Sequence, residues 1–186
     1  MFYICTIKQT DMTTLQDVSR LANDYLDRNY TITTITGKTF KYCPRELGYR
    51  FEFNNRKNGF GICNFRRRII GLSKGLCEFN LDKIETHITD TILHEIAHAL
   101  SYEVYGFDGR GHDFKWVSIA KQIGCNGKRC FSIHDIESPP SKYTLTCPTC
   151  KRETPKHRKP KRSKACGKCC NGVYQEEHKL IVTQNY

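Results

Sequence analysis

Two histidines and a glutamate stand at metal-binding spacing near the middle of the chain. His94 and His98 are four residues apart, and Glu95 follows the first histidine directly. Residues four apart on an α-helix share one face, so both imidazoles can reach a single ion. Glu95 lies about 100° round the helix from His94, where its carboxylate can reach a water molecule on that ion without binding the ion. The pattern predicts a catalytic metal site in which Glu95 is the general base.

The apolar residues of the same segment predict that this helix faces a cleft. Ile92, Ile96 and Leu100 fall at about 160°, 200° and 240° from His94 on a helical wheel. The apolar stripe can therefore pack in a core while the histidines stay open to a ligand. Zinc with three protein ligands keeps one position for water and lowers the pKa of that water to about 7. The competing interpretation is a chance match on an ordinary surface helix, and the stripe favours the metal site.

A third protein ligand has to come from further along the chain. The candidates are Asp108, His112, Asp113 and His134. We favour His112, because it precedes a predicted helix and follows a glycine-rich turn that can fold the chain back over the metal. Some zinc peptidases use a histidine six residues after the second histidine of the pair, but Val104 occupies that place here.

Two segments carry a resemblance to a known family. "TILHEIAHAL" and the later "GRGHDFKW" resemble the SprT-like family, which includes the Spartan DNA–protein crosslink proteases. The resemblance covers about residues 11 to 170. It implies an α+β, zincin-like domain in which an N-terminal helix and a small antiparallel sheet precede the HExxH helix. A further helix follows, and many members then carry a zinc ribbon.

The family pattern also implies roles for individual residues. A Gly-His pair with an aromatic residue four positions later supplies the third ligand, and Gly111, His112 and Trp116 match it. Asp113 stands where the family commonly has glycine. Carried over by position, the zinc ligands are His94, His98 and His112, and the catalytic carboxylate is Glu95.

A second group of metal ligands is formed by two C-x2-C pairs near the C-terminal end. Cys147 and Cys150 form the first pair, and Cys166 and Cys169 the second, with fifteen residues between the pairs. This spacing is typical of four-cysteine zinc sites, although Cys170 can replace Cys169 in the pattern. Four thiolates leave no open position, so we predict a structural zinc that folds a ribbon. The predicted cofactors are thus two zinc ions, one catalytic and one structural.

The segment between the two cysteine pairs is strongly basic. Residues 151–164, here called the basic segment, contain a single acidic residue and these eight basic ones: Lys151, Arg152, Lys156, Arg158, Lys159, Lys161, Arg162 and Lys164. Residues 141–186 hold eleven Lys/Arg against three Asp/Glu, whereas residues 1–140 hold nineteen against sixteen. A solvated charge run is the simpler interpretation. On a zinc-folded loop, however, these residues predict sequence-tolerant and salt-dependent contact with DNA.

Composition indicates an intracellular protein. The eleven cysteines are an odd number, and the opening "MFYICTIKQTDM" lacks the features of a signal peptide. No apolar run approaches the ~18 residues of a membrane span. We expect a reducing compartment, cytoplasmic or DNA-associated, with no membrane partner. The cysteines outside the zinc pattern are expected to be small buried hydrophobes: Cys5, Cys43, Cys63, Cys77, Cys125 and Cys130.

Two domains are predicted, a metallopeptidase domain over residues 1–137 and a basic zinc ribbon over residues 138–186. The turn-rich "ESPPSK" marks the break between them. Asp11 and Asn80 are the expected helix caps, and Asn58-Gly59 has turn chemistry. Periodicity predicts helices over about 11–30, 81–105 and 114–124, and strands over 49–54 and within 61–72.

These features predict a zinc-dependent endopeptidase that acts on DNA-associated or DNA-crosslinked proteins. One alternative is a nucleic-acid-binding zinc protein with negligible peptidase activity, and the intact Glu95 argues against it. The other is a zinc hydrolase of a non-peptide substrate, because the HExxH pattern specifies water activation and not the bond that is broken.

Overall fold

The fold is that of a computed structural model, which describes residues 13–57, 59–129 and 136–186. The chain divides into two compact units, Met1–Ser138 and Pro139–Tyr186. Five residues of the sequence-based predictions lie outside the described residues: Asp11, Asn58, His134, Cys5 and Cys130. Among the described residues, no helix combines the length and the apolar character needed to cross a membrane.

Helix α1 spans Leu15–Leu26, and Thr14 is its N-cap residue. The backbone N–H of Asp17 donates to the Thr14 hydroxyl, and the Asp17 carboxylate accepts from the Thr14 backbone N–H, which forms a capping box. The periodicity that predicted this helix is confirmed, because Val18, Ala22 and Leu26 are fully buried at helical spacing. The helix ends at Leu26, earlier than predicted.

A β-hairpin that the sequence did not reveal follows α1. Strands β1 (Tyr30–Thr33) and β2 (Thr39–Tyr42) pair in antiparallel fashion. Gly37 in the connecting turn has φ +81°, a conformation that favours glycine. Only Tyr30 and Ile32 of β1 point into the core, so the hydrophobic signal in this region is weak.

The central sheet of the first unit has three strands in the order β3-β5-β4. Strand β4 (Gly61–Asn64) is antiparallel to β5 (Ile69–Ser73), but β3 (Arg50–Asn54) is parallel to β5. The expectation of an antiparallel sheet is therefore wrong, and the sheet is mixed. The chain reverses its direction between β3 and β4 and again between β4 and β5, so β3 and β5 run the same way. The fully buried β5 takes the central position and pairs with both of the other strands.

The chain then builds the long helix in stages. Short helix α2 (Lys74–Glu78) is followed by a 3-10 turn (Leu81–Lys83), a π-helical turn (Ile84–Ile88) and helix α3 (Thr89–Tyr105). The prediction of a single α-helix from residue 81 is therefore wrong for residues 81–88, which form the 3-10 and π-helical turns.

The predicted cap Asn80 has a different role. Its side-chain amide donates to the backbone carbonyls of Leu76 and Glu137 at 2.8 Å each, and it makes no cap hydrogen bond. The predicted stop at Gly106 is confirmed, with φ +60°.

Helix α3 packs its apolar face in the core as predicted. Ile92, Ile96 and Leu100 are fully buried. After a 3-10 turn (Gly106–Arg110), helix α4 (Phe114–Gln122) packs against α3. The carboxylate of Asp113 caps α4 by accepting from the backbone N–H groups of Lys115 and Trp116.

The second unit is a small antiparallel sheet with two cysteine-bearing turns. Strands β6 (Tyr143–Thr146), β7 (Glu153–Lys156) and β8 (Ile181–Gln184) lie in the order β7-β6-β8, with a 3-10 turn (Glu176–His178) before β8. Cys147 directly follows β6. The architecture of the protein is mixed α+β, and the second unit is compatible with a zinc ribbon.

Candidate metal centres

Helix α3 and the bend before α4 bring three histidines together. The Nε2 atom of His112 lies 3.0 Å from the Nε2 atom of His94 and 3.0 Å from that of His98. Ligand nitrogens at 2.0–2.1 Å from a tetrahedral zinc are about 3.3 Å apart, so the observed spacing suits one ion. Of the three candidates for the third ligand position that the structure describes, Asp108, His112 and Asp113, the cluster contains His112.

The imidazoles are held in the neutral form that a metal requires. Burial lowers the pKa of His94 to about 4 and that of His98 to about 3, and neighbouring histidines add to both shifts. Burial and the charge of Arg129 lower the pKa of His112. A neutral imidazole has one N–H, so three converging Nε2 atoms cannot all be satisfied by one another. The donor set therefore fits a zinc ion, for which neutral imidazoles supply lone pairs.

Contacts with neighbouring residues hold the histidine rings in place. The ring of His94 hydrogen-bonds to the backbone carbonyl of Lys128, which leaves its Nε2 atom for the metal. The fully buried ring of Trp116 has its centroid 4.6 Å, 5.2 Å and 4.7 Å from the rings of His94, His98 and His112. Helix α4 thus positions Trp116 against all three histidines. Asp113, which departs from the family pattern, caps this helix.

Glu95 lies in the wall of the same cleft. Glu95 is 7% exposed, and this burial raises the pKa of its carboxyl to about 8. The charge of Arg56 and a hydrogen bond from the backbone of Cys63 oppose this shift. The carboxylate is therefore poised near neutral pH, as a residue that both accepts and returns a proton should be.

Sequence reasoning missed the role of Gly61 in β4. A Cβ atom at this position would collide with the Glu95 carboxylate and lie 2.8 Å from Cγ of Glu95 and from Cγ2 of Thr91. Only a residue without a side chain lets β4 pass this close to α3. The available signal was a glycine within a predicted strand, which often marks a close approach.

The histidines and Glu95 line a cleft of about 660 Å³. One part of its wall is apolar and is formed by Phe60, Ile62, Phe65, Leu76 and Ile136. Cys63 also lines the cleft and is half-buried, whereas Cys43, Cys77 and Cys125 are buried as predicted.

Four thiols converge in the second unit. The Sγ atoms of Cys147 and Cys169 are 3.9 Å apart, and those of Cys150 and Cys166 are 3.7 Å apart. Zinc–sulfur bonds of 2.3 Å in a tetrahedral site place sulfurs about 3.8 Å apart. The backbone N–H of Cys150 donates to the Cys147 sulfur and lowers the pKa of that thiol to about 6, which favours the thiolate. Cys170 is buried outside this cluster.

The eight predicted nucleic-acid-binding residues of the basic segment are all exposed. Within the described part of the chain, none of them forms an ion pair with a carboxylate. Their charges are therefore free for a ligand, and their contact with DNA stays a prediction.

Comparisons with known proteins identify the family. Neither the comparison with curated proteins nor that with solved structures finds a match to this chain. The family model of the SprT-like family matches residues 28–136, which span β1 to α4 and include the three histidines and Glu95. This match covers more than half of the chain, so the protein belongs to the SprT-like family, whose members are metallopeptidase-like zinc proteins.

Proposed function

We propose that the protein is a zinc-dependent endopeptidase with a zincin-like metallopeptidase domain in its first unit, and that it acts on proteins associated with or crosslinked to DNA. The observation that carries the proposal is the convergence of three Nε2 atoms beside a buried glutamate in one cleft. A structural zinc site has no need of Glu95. Three histidines with an open side are the donor set of catalytic zinc.

The chain's own residues account for the proton transfers. Zinc held by the three histidines would supply an activated water and polarise the substrate carbonyl. Glu95 accepts the proton of the attacking water and returns it to the amine leaving group. Burial of Glu95 raises the pKa of its carboxyl in the metal-free site, which favours holding the proton that the second step returns. The backbone N–H of Cys63 and the charge of Arg56 support the ionised form that accepts the proton.

The second unit supports a DNA-associated role. Its four thiols suit a closed zinc site, which holds both ends of the basic segment. Eight exposed cations on such a loop favour phosphate contacts without base recognition. In this proposal the ribbon binds DNA and brings the metallopeptidase domain close to proteins on the same DNA.

The test is cleavage of a DNA-bound protein that carries both basic and acidic segments by the zinc-loaded wild type and the zinc-loaded Glu95→Gln variant, each with and without single-stranded DNA. We expect cleavage by the wild type, acceleration by DNA, and a loss of about 10²–10⁴-fold in the variant. Zinc content is measured in both proteins, so that lost activity is not confused with lost metal.

Two outcomes would favour other functions. A zinc-loaded wild type that cuts no protein but binds DNA would identify a nucleic-acid-binding zinc protein. Hydrolysis confined to non-peptide substrates would identify a different zinc hydrolase.

A further inference from the structure

The cleft around the three histidines is rich in positive charge. Five basic side chains line it, and Glu95 is the single acidic residue among the described lining residues. The five come from three separate segments: Arg56 and Lys57 between β3 and β4, Arg110 in the turn after α3, and Lys128 and Arg129 after α4. Residues 1–140 hold nineteen basic and sixteen acidic residues. Positive charge is therefore concentrated at the cleft of a nearly balanced unit.

These five side chains differ from the ion-paired basic residues of the first unit. All five residues are exposed, and none forms an ion pair with a carboxylate in the described part of the chain. The guanidinium of Arg110 lies 3.1 Å from the centroid of the Phe107 ring, which positions it without neutralising it. Six other basic residues are ion-paired within the unit: Arg20, Arg45, Arg50, Arg68, Lys74 and Lys115. The cleft cations are thus available to a ligand.

We propose that the cleft selects acidic segments of protein substrates, with Asp or Glu side chains flanking the scissile bond paired to these cations. The inference rests on the proposed function and names its substrate class. The ligand is a peptide rather than a nucleic acid because part of the wall is apolar, at Phe60, Ile62 and Leu76, which suits mixed side chains better than a uniform phosphate backbone.

The test uses the full zinc-loaded chain and three peptides of equal length that differ only beside the scissile bond, where they carry glutamate, serine or lysine. An exposed ion pair changes binding by roughly 1.4- to 5-fold, so several together give a preference of about tenfold or more for glutamate over lysine at low salt. The preference decreases as salt rises, because the charges are exposed.

Charge reversal at the cleft has a matched control elsewhere in the unit. The Lys57→Glu/Lys128→Glu double variant is expected to remove the preference for glutamate over lysine. The Lys38→Glu/Lys41→Glu variant makes the same change in net charge at exposed residues that do not line the cleft, and it is expected to keep the preference. The preference is a ratio of kcat/KM values, so a general effect on the chemistry cancels.

Binding provides a readout that does not depend on turnover. Fluorescence anisotropy of the labelled peptides with zinc-loaded Glu95→Gln is expected to show the same order, glutamate before serine before lysine. Equal binding and cleavage of all three peptides would overturn the inference and leave the proposed function intact. Cleavage of none of them would contradict the proposed function, whatever the order of binding.

A nucleic-acid role for the cleft cations is the remaining outcome. If a single-stranded oligonucleotide inhibits cleavage of the serine peptide, and the Lys57→Glu/Lys128→Glu variant alone escapes this inhibition, the cations serve phosphate binding. That result would also overturn the inference.

Discussion

Replacing Glu95 with glutamine is expected to stabilise the metal-free protein. The carboxyl of Glu95 has a pKa of about 8 in the folded state, against 4.5 as its ordinary value. Between these values the unfolded chain ionises the carboxyl and the folded chain keeps it protonated. Wild-type stability from this group is therefore lost as pH rises from 4.5 to 8. At pH 7 the loss is on the order of 3 kcal/mol.

Glutamine at position 95 avoids this loss because it has the same shape and no charge. Its carbonyl can still accept the backbone hydrogen bond from Cys63. The added N–H groups are buried, and an unsatisfied one costs about 1–3 kcal/mol. We therefore expect Glu95→Gln to raise the free energy of unfolding at pH 7 by up to about 2 kcal/mol, and to give no gain near pH 4.5.

Tryptophan fluorescence makes the measurement specific to the first unit. Trp116 is the single tryptophan of the chain, and its ring is fully buried against the three histidines. Urea unfolding of EDTA-treated protein between pH 5 and 8 then gives the stability of this unit without a contribution from the second.

A second glutamate on α3 serves as the control. Glu103 is ion-paired to Arg68 at 2.8 Å, so Glu103→Gln is expected to lower the free energy of unfolding by about 1–3 kcal/mol. The reasoning would be refuted if Glu95→Gln were less stable than the wild type at pH 7. It would also be refuted if the gain were the same at pH 5 as at pH 7, because burial of the carboxyl would then not be the cause.

Three further predictions concern single features. Gly61→Ala is expected to destabilise the first unit by about 1–3 kcal/mol and to lower peptidase activity, because its Cβ collides with Glu95. Gly111→Ala is expected to be tolerated, because its Cβ makes only an ordinary contact, 3.9 Å from the backbone nitrogen of Asp113. Urea unfolding and cleavage assays compare the two variants, and equal effects would contradict the steric argument. Cys169→Ser is expected to lose one of two bound zinc ions per chain and Cys170→Ser none, as measured by metal analysis; the opposite result would transfer the ligand role to Cys170. The affinity for single-stranded DNA is expected to fall as the salt concentration rises. When Lys159, Lys161, Arg162 and Lys164 are all replaced by glutamine, the slope of log affinity against log salt is expected to weaken by about 3. An unchanged slope would exclude the basic segment from the contact with DNA.

The sequence by itself was sufficient for features set over a few residues. The spacing of His94 and His98 places both rings on one helix face whatever the rest of the fold does, because helix geometry is local. The burial of the opposite face of α3 followed from the same periodicity. Each C-x2-C pair likewise forms its own turn.

Only the tertiary structure decided the features that depend on distant segments. His112 is 18 residues from His94, and its place at the site depends on the path of the intervening turn and on the packing of α4 through Trp116. The mixed strand order, the approach of Gly61 to Glu95 and the grouping of five cations from three segments are also long-range. They result from how elements pack, and residue periodicity carries no information about which distant segments meet.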